Sequence, residues 1–132
     1  MRVLIVEDEI LVAMEFEETL TELGHEVVGI AADQPSALAL AQLGVDVALV
    51  DINLRDGETG IDIGRELAKA AAVVFVTANS GLLNDNVPGV IGVLPKPASR
   101  NALAGAVSYA GIARSGCGPK LPAPPPDLRL FG

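Results

Sequence analysis

Five polar residues in this sequence each come at or just after the end of an apolar run: Glu7, Asp8, Asp51, Thr77 and Lys96. Three carboxylates gathered at one place would repel one another and raise each other's pKa unless a cation lies between them. Oxygen ligands without His or Cys suit Mg²⁺, which keeps several waters and shares a phosphate. A metal, an ammonium group, a hydroxyl and a nucleophilic carboxylate together indicate phosphoryl transfer.

The elements that must position these side chains are five short apolar runs with helix-like segments between them. The runs are rich in β-branched residues and nearly continuous, which is typical of strands buried on both faces of a parallel sheet. They cover residues 3–6, 27–30, 45–50, 73–76 and 90–94. Alternating strands and helices predict a three-layer α/β sandwich. Ligands of such sheets bind beyond the carboxyl ends of the strands, where the five polar residues stand.

Four segments between or after these runs have helical signals. The first has apolar residues at helical spacing from Val12 to Leu23 and a stop at Gly24. Pro35 suits the first turn of a second helix, and Ser99 can cap the last helix, which runs to about residue 113. A third helix is predicted over 61–71, whereas 80–89 has the composition of a loop or a single turn.

Length and charge exclude several classes of function. The 132 residues, half of them hydrophobic, are enough for one domain with a well-filled core. A net charge of −8 without a basic stripe argues against direct binding to nucleic acid. The single cysteine excludes an internal disulfide, and no apolar stretch approaches the ~20 residues that a membrane span needs. These features predict a cytoplasmic protein without nucleic acid or membrane partners.

Four motifs in order along the chain resemble the receiver domain of two-component response regulators. They are LIVEDE at the first run, LVDINL at the third, VFVTAN at the fourth and PKP after the fifth. The resemblance covers residues 1 to about 113 and implies a flavodoxin-like fold, with a five-stranded parallel sheet in the order 2-1-3-4-5. In that order the first and third strands are neighbours, so Glu7, Asp8 and Asp51 would meet in one crevice.

The resemblance also implies a role for each matching residue. Asp51 would accept the phosphoryl group, and Glu7, Asp8 and Asp51 would hold Mg²⁺ together with the backbone carbonyl of Asn53.

On the other side of the acceptor, Thr77 and Lys96 would bind phosphoryl oxygens. The small Ala78 would leave access to the acceptor. The Lys96–Pro97 peptide is expected to be cis, which aims the lysine, since an X–Pro bond makes the cis form accessible.

The sequence departs from the family at Val93, three residues before the lysine, where most receivers have Tyr or Phe. The usual rotation of that ring is therefore not available.

A second departure is that residues 114–132 are too few for an effector domain, so we expect a stand-alone receiver over 1–113 with a Pro-rich tail. Three interpretations of the tail are a ligand for an SH3-like domain, a linker remnant, and a strap lying on the domain with Leu128, Leu130 and Phe131 as its apolar anchor.

The function that follows is a single-domain response regulator rather than an enzyme. A sensor histidine kinase or a histidine phosphotransfer protein would phosphorylate it, and its output would be a protein contact, a relay step or a phosphate sink. A monomer or weak homodimer is expected. Two alternatives are a Mg²⁺-dependent aspartyl phosphohydrolase and a receiver-like adaptor that is never phosphorylated. Asn53 cannot serve as the general acid that the hydrolase needs, and the set Asp51, Thr77 and Lys96 argues against the adaptor.

Overall fold

The computed structural model describes residues 1–52, 54, 60–78, 87, 89–114, 124 and 126–131. Six strands and four helices alternate along most of this part of the chain. The strands are β1 (Arg2–Val6), β2 (Glu26–Ala31), β3 (Val47–Asp51), β4 (Ala72–Thr77), β5 (Val90–Pro95) and β6 (Arg129–Leu130). The helices are α1 (Ile10–Glu22), α2 (Gln34–Ala41), α3 (Gly60–Leu67) and α4 (Arg100–Arg114).

The strands form one sheet in the order β2-β1-β3-β4-β5-β6. The first five are parallel to one another, as predicted. In the central pair Val6 lies beside Val50, so the residues that follow the two strands emerge together. This register places the carboxyl ends of β1 and β3, with the acidic residues found there, side by side.

The predicted five-stranded sheet is wrong in one respect, because the structure has a sixth strand. Strand β6 is antiparallel to β5 and pairs Leu130 with Gly92 and Arg129 with Val93. It has two residues and follows a proline-rich stretch, and it is too short to give a strand-length apolar run in the sequence. The expectation that the tail lies on the domain is met for residues 126–131.

Two hydrophobic layers, one on each face of the sheet, form the core. Alternate residues of β1 separate cleanly: Val3 and Ile5 face α1 and α4, whereas Leu4 and Val6 face α2 and α3. All four are buried, as are most residues of β3 and β4. Burial on both faces explains why these strands read as continuous apolar runs. The three-layer α/β sandwich is confirmed.

The start of α2, the end of α1 and the start of α4 agree with the sequence signals, whereas α3 ends at Leu67, four residues before the predicted end. After α1, Gly24 has a φ of 90°, a left-handed conformation that ends the helix at low cost. The Asp33 side chain accepts a hydrogen bond of 3.0 Å from the Ser36 amide at the start of α2. The Ser99 hydroxyl does the same for the Ala102 amide at 3.0 Å, as predicted. The segment predicted to be a loop, 80–89, lies almost wholly outside the described residues.

Candidate functional site

An acidic cluster lies at the carboxyl edge of the sheet. Glu7 and Asp8 come directly after β1, and Asp51 is the last residue of the neighbouring β3. One carboxylate oxygen from each lies within 4.8 Å of the other two. Glu7 and Asp51 are 2% and 7% exposed, while Asp8 is only half-buried. The sequence therefore correctly predicted that these three residues meet.

Lys96 spans the two buried carboxylates. Its Nζ lies 2.5 Å from Oε2 of Glu7 and 3.2 Å from Oδ2 of Asp51. Its backbone amide donates a 2.8 Å hydrogen bond to the Thr77 carbonyl, which ties the ends of β4 and β5 together. Burial alone would lower the pKa of Lys96, but the hydrogen bond to Glu7 and the negative charge of both carboxylates outweigh it and raise that pKa. Lys96 is therefore a fixed positive charge beside Asp51.

The Glu7 carboxyl is held in an unfavourable place for a negative charge. Its pKa is raised to about 7, chiefly because the group is buried and in smaller part because of the negative charge of Asp51. The bonds from Lys96 and from the Glu9 amide, the latter 3.1 Å long, act in the opposite direction without cancelling the effect. A buried carboxyl of this kind gains from a cation bound beside it.

The donor set fits a hard divalent cation. Three carboxylates supply the charge, and the half-exposed Asp8 leaves one side of the cluster open to water. Mg²⁺ prefers this arrangement, in which few protein ligands are combined with retained waters and a phosphate. Asn53, whose carbonyl was predicted as a further ligand, lies outside the described residues.

Thr77 and Ala78 stand on the other side of Asp51. Thr77 ends β4, beside Pro95 of β5, and is buried. Ala78 is exposed and lines a cavity of about 300 Å³ together with Lys96 and Pro97. The Lys96–Pro97 peptide is cis. Thr77 and Lys96 thus come at the ends of two neighbouring strands, and Lys96 contacts Asp51.

Val93, the position where most receivers have an aromatic ring, is fully buried. It pairs with Phe75 of β4 in the sheet register. A side chain of this size and burial cannot reproduce the in-and-out rotation of an aromatic ring. The departure from most receivers that the sequence shows at this position therefore also holds in the structure.

Two features of the site were not evident in the sequence. The first is the contact between Lys96 and Glu7, which is closer than the contact between Lys96 and Asp51; nothing in the local sequence of either residue indicates it. The second is Gly60, where an added Cβ would lie 2.1 Å from the Asp51 carbonyl oxygen and 2.6 Å from the Ile52 backbone. The motif GETG contains this glycine, but its steric role requires the fold.

Comparison with known proteins agrees with this arrangement. A family model for the response regulator receiver domain matches residues 3–108. The chain belongs to this family.

Individual relatives are regulators. The chain is 39% identical over 80 residues to the phyllosphere-induced regulator PhyR of Methylorubrum extorquens, covering 58% of this chain and 30% of the relative. It is 43% identical over 84 residues to the transcriptional regulatory protein PdtaR of Mycobacterium tuberculosis, covering 60% of this chain and 40% of that protein. The crystal structure of PhyR from Brucella abortus superposes with a TM-score of 0.76 at 34% identity, over 88% of this chain and 49% of that one.

The chain thus spans less than half the length of these relatives. Within the part of the chain that the structure describes, no helix is long and apolar enough to cross a membrane.

Proposed function

We propose that Asp51 accepts a phosphoryl group from a phosphohistidine of a sensor kinase or phosphotransfer protein. The observation that carries this proposal is the pairing of Asp51 with Lys96 Nζ at 3.2 Å inside a cluster of three carboxylates. A carboxylate oxygen of Asp51 attacks phosphorus while the bond from phosphorus to the imidazole nitrogen breaks. The leaving imidazole takes up a proton, and the product is an aspartyl phosphate.

Glu7, Asp8, Asp51 and the Asn53 carbonyl would hold Mg²⁺. When bound, the ion neutralises the charge that gathers on the phosphoryl oxygens. The chain's own residues do the rest. Lys96 orients the Asp51 carboxylate before the reaction and pairs with a phosphoryl oxygen after it.

The neighbouring strand contributes the remaining contacts. The Thr77 hydroxyl donates to another phosphoryl oxygen, and the small Ala78 leaves the approach to Asp51 open. Because positioning and charge supply most of the catalysis in phosphoryl transfer, these contacts are sufficient without a dedicated general base.

The product signals through protein contacts. We propose a receiver domain over 1–113 and a Pro-rich tail over 114–132, acting in the cytoplasm on another protein, as a relay step or as a phosphate sink. The acidic balance of the chain, −8 overall, favours a protein partner over nucleic acid. The chain would act as a phosphoacceptor that assists its own reaction rather than as an enzyme with a free substrate.

The test uses acetyl phosphate as a small phosphoryl donor, with Mg²⁺ or with EDTA, and intact-mass spectrometry as the measurement. Wild type should gain one phosphoryl group only with Mg²⁺, and Asp51→Asn should gain none. Asp62→Asn is the matched control, since that carboxyl on α3 is exposed and forms a long, 3.5 Å surface pair with Arg65. Equal labelling of Asp51→Asn would overturn the assignment. Sustained turnover of a small phosphate ester, which is not an acyl phosphate donor, would favour the hydrolase instead.

A further inference from the structure

Residues 126–131, here called the strap, run along the side of β5 that would otherwise be an open edge of the sheet. Strand β6 within the strap pairs with Gly92 and Val93. The Phe131 amide adds a 2.9 Å hydrogen bond to the Ile91 carbonyl. An uncovered edge strand presents unpaired amides and carbonyls that attract another strand. The strap supplies hydrogen-bond partners for these groups from within the same chain.

Two side chains anchor the strap on opposite faces of the sheet. Leu128 is 5% exposed and joins the core layer of α1 and α4. Phe131 packs against the layer of α2 and α3, with its ring 6.3 Å from that of the buried Phe75 in an edge-on arrangement. Leu130, predicted to be a third anchor, is instead 40% exposed. The strap is therefore anchored by Leu128 and Phe131, the first and fourth residues of the sequence Leu-Arg-Leu-Phe.

The edge of β5 is shaped to receive a strand. A Cβ at Gly92 would lie 2.3 Å from the Arg129 carbonyl oxygen, closer than any real contact. The φ of Gly92 is not in the left-handed region, unlike that of Gly24, Gly44 and Gly89. Backbone conformation therefore does not require glycine at this position. The close approach of a neighbouring backbone does.

We propose that the edge of β5 is a docking site for an extended peptide segment of a partner protein, and that the strap occupies this site until the partner displaces it. The ligand chemistry is defined by the segment already seated there: backbone pairing with β5, a Leu in the layer of α1 and α4, a basic residue next to it and a Phe against Phe75. Strand addition at a sheet edge is a common mode of peptide recognition, in which the backbone supplies affinity and the side chains supply specificity.

Displacement of the strap is feasible because few interactions bind it to β5. The ladder contains two residues, and the two anchors must offset the ordering of the whole segment. The strap nevertheless has the advantage of being tethered, since a tethered ligand acts at an effective concentration in the millimolar range. A partner must therefore bind tightly, or the strap must be weakened, before the edge is exchanged. Lys96 directly follows β5, and Thr77 is the last residue of the neighbouring β4. An occupant of the edge would therefore pair with the strand that leads into Lys96.

The experiment measures binding of a fluorescent synthetic peptide with the sequence of residues 126–131 to full-length proteins. Phe131→Ala loosens the strap and should bind the peptide at least about tenfold more tightly than wild type, because the tethered competitor is weakened. Leu130→Ala, a change at the exposed strap position, is the matched control and should resemble wild type. Adding Gly92→Ala to Phe131→Ala should abolish binding, since the new methyl group occupies the space of the incoming backbone.

Equal peptide binding by wild type and Phe131→Ala, no binding by either, or binding that survives Gly92→Ala would each overturn the proposal. A spin label on the peptide provides a readout independent of affinity. With Phe131→Ala, the label should broaden the amide signals of Ile91 to Val93 and leave those of β2, at the opposite edge of the sheet, unchanged. Broadening at β2 instead would also contradict the proposal, and well-dispersed amide spectra of every variant verify that each one is folded.

Discussion

Lys96→Met removes the positive charge between Glu7 and Asp51 while keeping a side chain of similar length. Both carboxylates are almost fully buried, and Lys96 contacts them at 2.5 and 3.2 Å. Removal of one member of a buried ion pair commonly costs about 3–5 kcal/mol. The cost here is limited because Glu7, whose pKa is already about 7, takes up a proton more readily once Lys96 is absent. We expect a loss of about 3 kcal/mol at pH 8 without divalent cations.

The loss should depend on pH in a defined direction. Lys96 lowers the pKa of Glu7, so removing Lys96 raises that pKa further. Each unit of increase costs about 1.4 kcal/mol of folding stability at a pH above the pKa of Glu7 in both wild type and variant. At pH 5 Glu7 is protonated in both proteins, and only the bond from Lys96 to Asp51 is lost. The expected difference then falls to about 1.5 kcal/mol.

Urea unfolding at pH 5 and pH 8, with EDTA present, measures both values. Lys69→Met is the matched control, because Lys69 makes an exposed 3.2 Å pair with Glu66 and should lose less than about 1 kcal/mol at either pH. Mg²⁺ should restore more stability to Lys96→Met than to wild type, since the variant has the more negative cluster. A loss that is the same at both pH values, or no greater than that of Lys69→Met, would refute the reasoning.

Two further predictions concern stability. The pKa of Glu7 is raised from 4.5 to about 7 in the folded protein, so the metal-free wild type should lose about 2.5 kcal/mol of stability as pH rises from 5 to 8. Glu7→Gln should lack this component, and parallel pH profiles of urea unfolding for the two proteins would contradict the prediction. Ser99→Ala should cost about 1 kcal/mol because it removes the 3.0 Å cap of α4, whereas Ser108→Ala on the exposed face of that helix should cost nothing, as thermal unfolding would show.

The acidic cluster could be predicted because the resemblance to receiver domains implies a strand order, and the position of the cluster follows from that order. Each carboxylate comes at the end of a buried strand, and parallel strands end at the same edge. Once β1 and β3 are neighbours, the pairing of Val6 with Val50 brings Glu7 and Asp51 together. No side-chain detail is needed for that conclusion.

The partner of Lys96 could not be predicted in the same way. Lys96 and Glu7 are 89 residues apart, and the direction of the lysine side chain depends on the path of the chain after β5. The sequence predicts that a positive charge lies near the acceptor. It does not predict which carboxylate receives the shorter contact, because that depends on distances of less than one ångström.

The sixth strand was missed for a different reason. Strand β6 has only two residues, and its anchors Leu128 and Phe131 are three positions apart instead of two. The buried positions therefore do not alternate, and two residues are too few for a strand pattern to be recognised in the sequence. Gly92 gives no signal either, because its importance arises from a backbone that approaches it from a distant segment.

The most direct test of phosphoryl acceptance by Asp51 is reduction of the phosphorylated protein with borohydride, followed by peptide mass spectrometry. Borohydride converts an aspartyl phosphate into homoserine and leaves free carboxylates unchanged. After treatment with acetyl phosphate and Mg²⁺, homoserine should appear at position 51 and at no other acidic residue, and it should be absent when EDTA replaces Mg²⁺. Homoserine at another aspartate, or none in protein that has gained a phosphoryl group, would contradict the assignment of Asp51 as the acceptor.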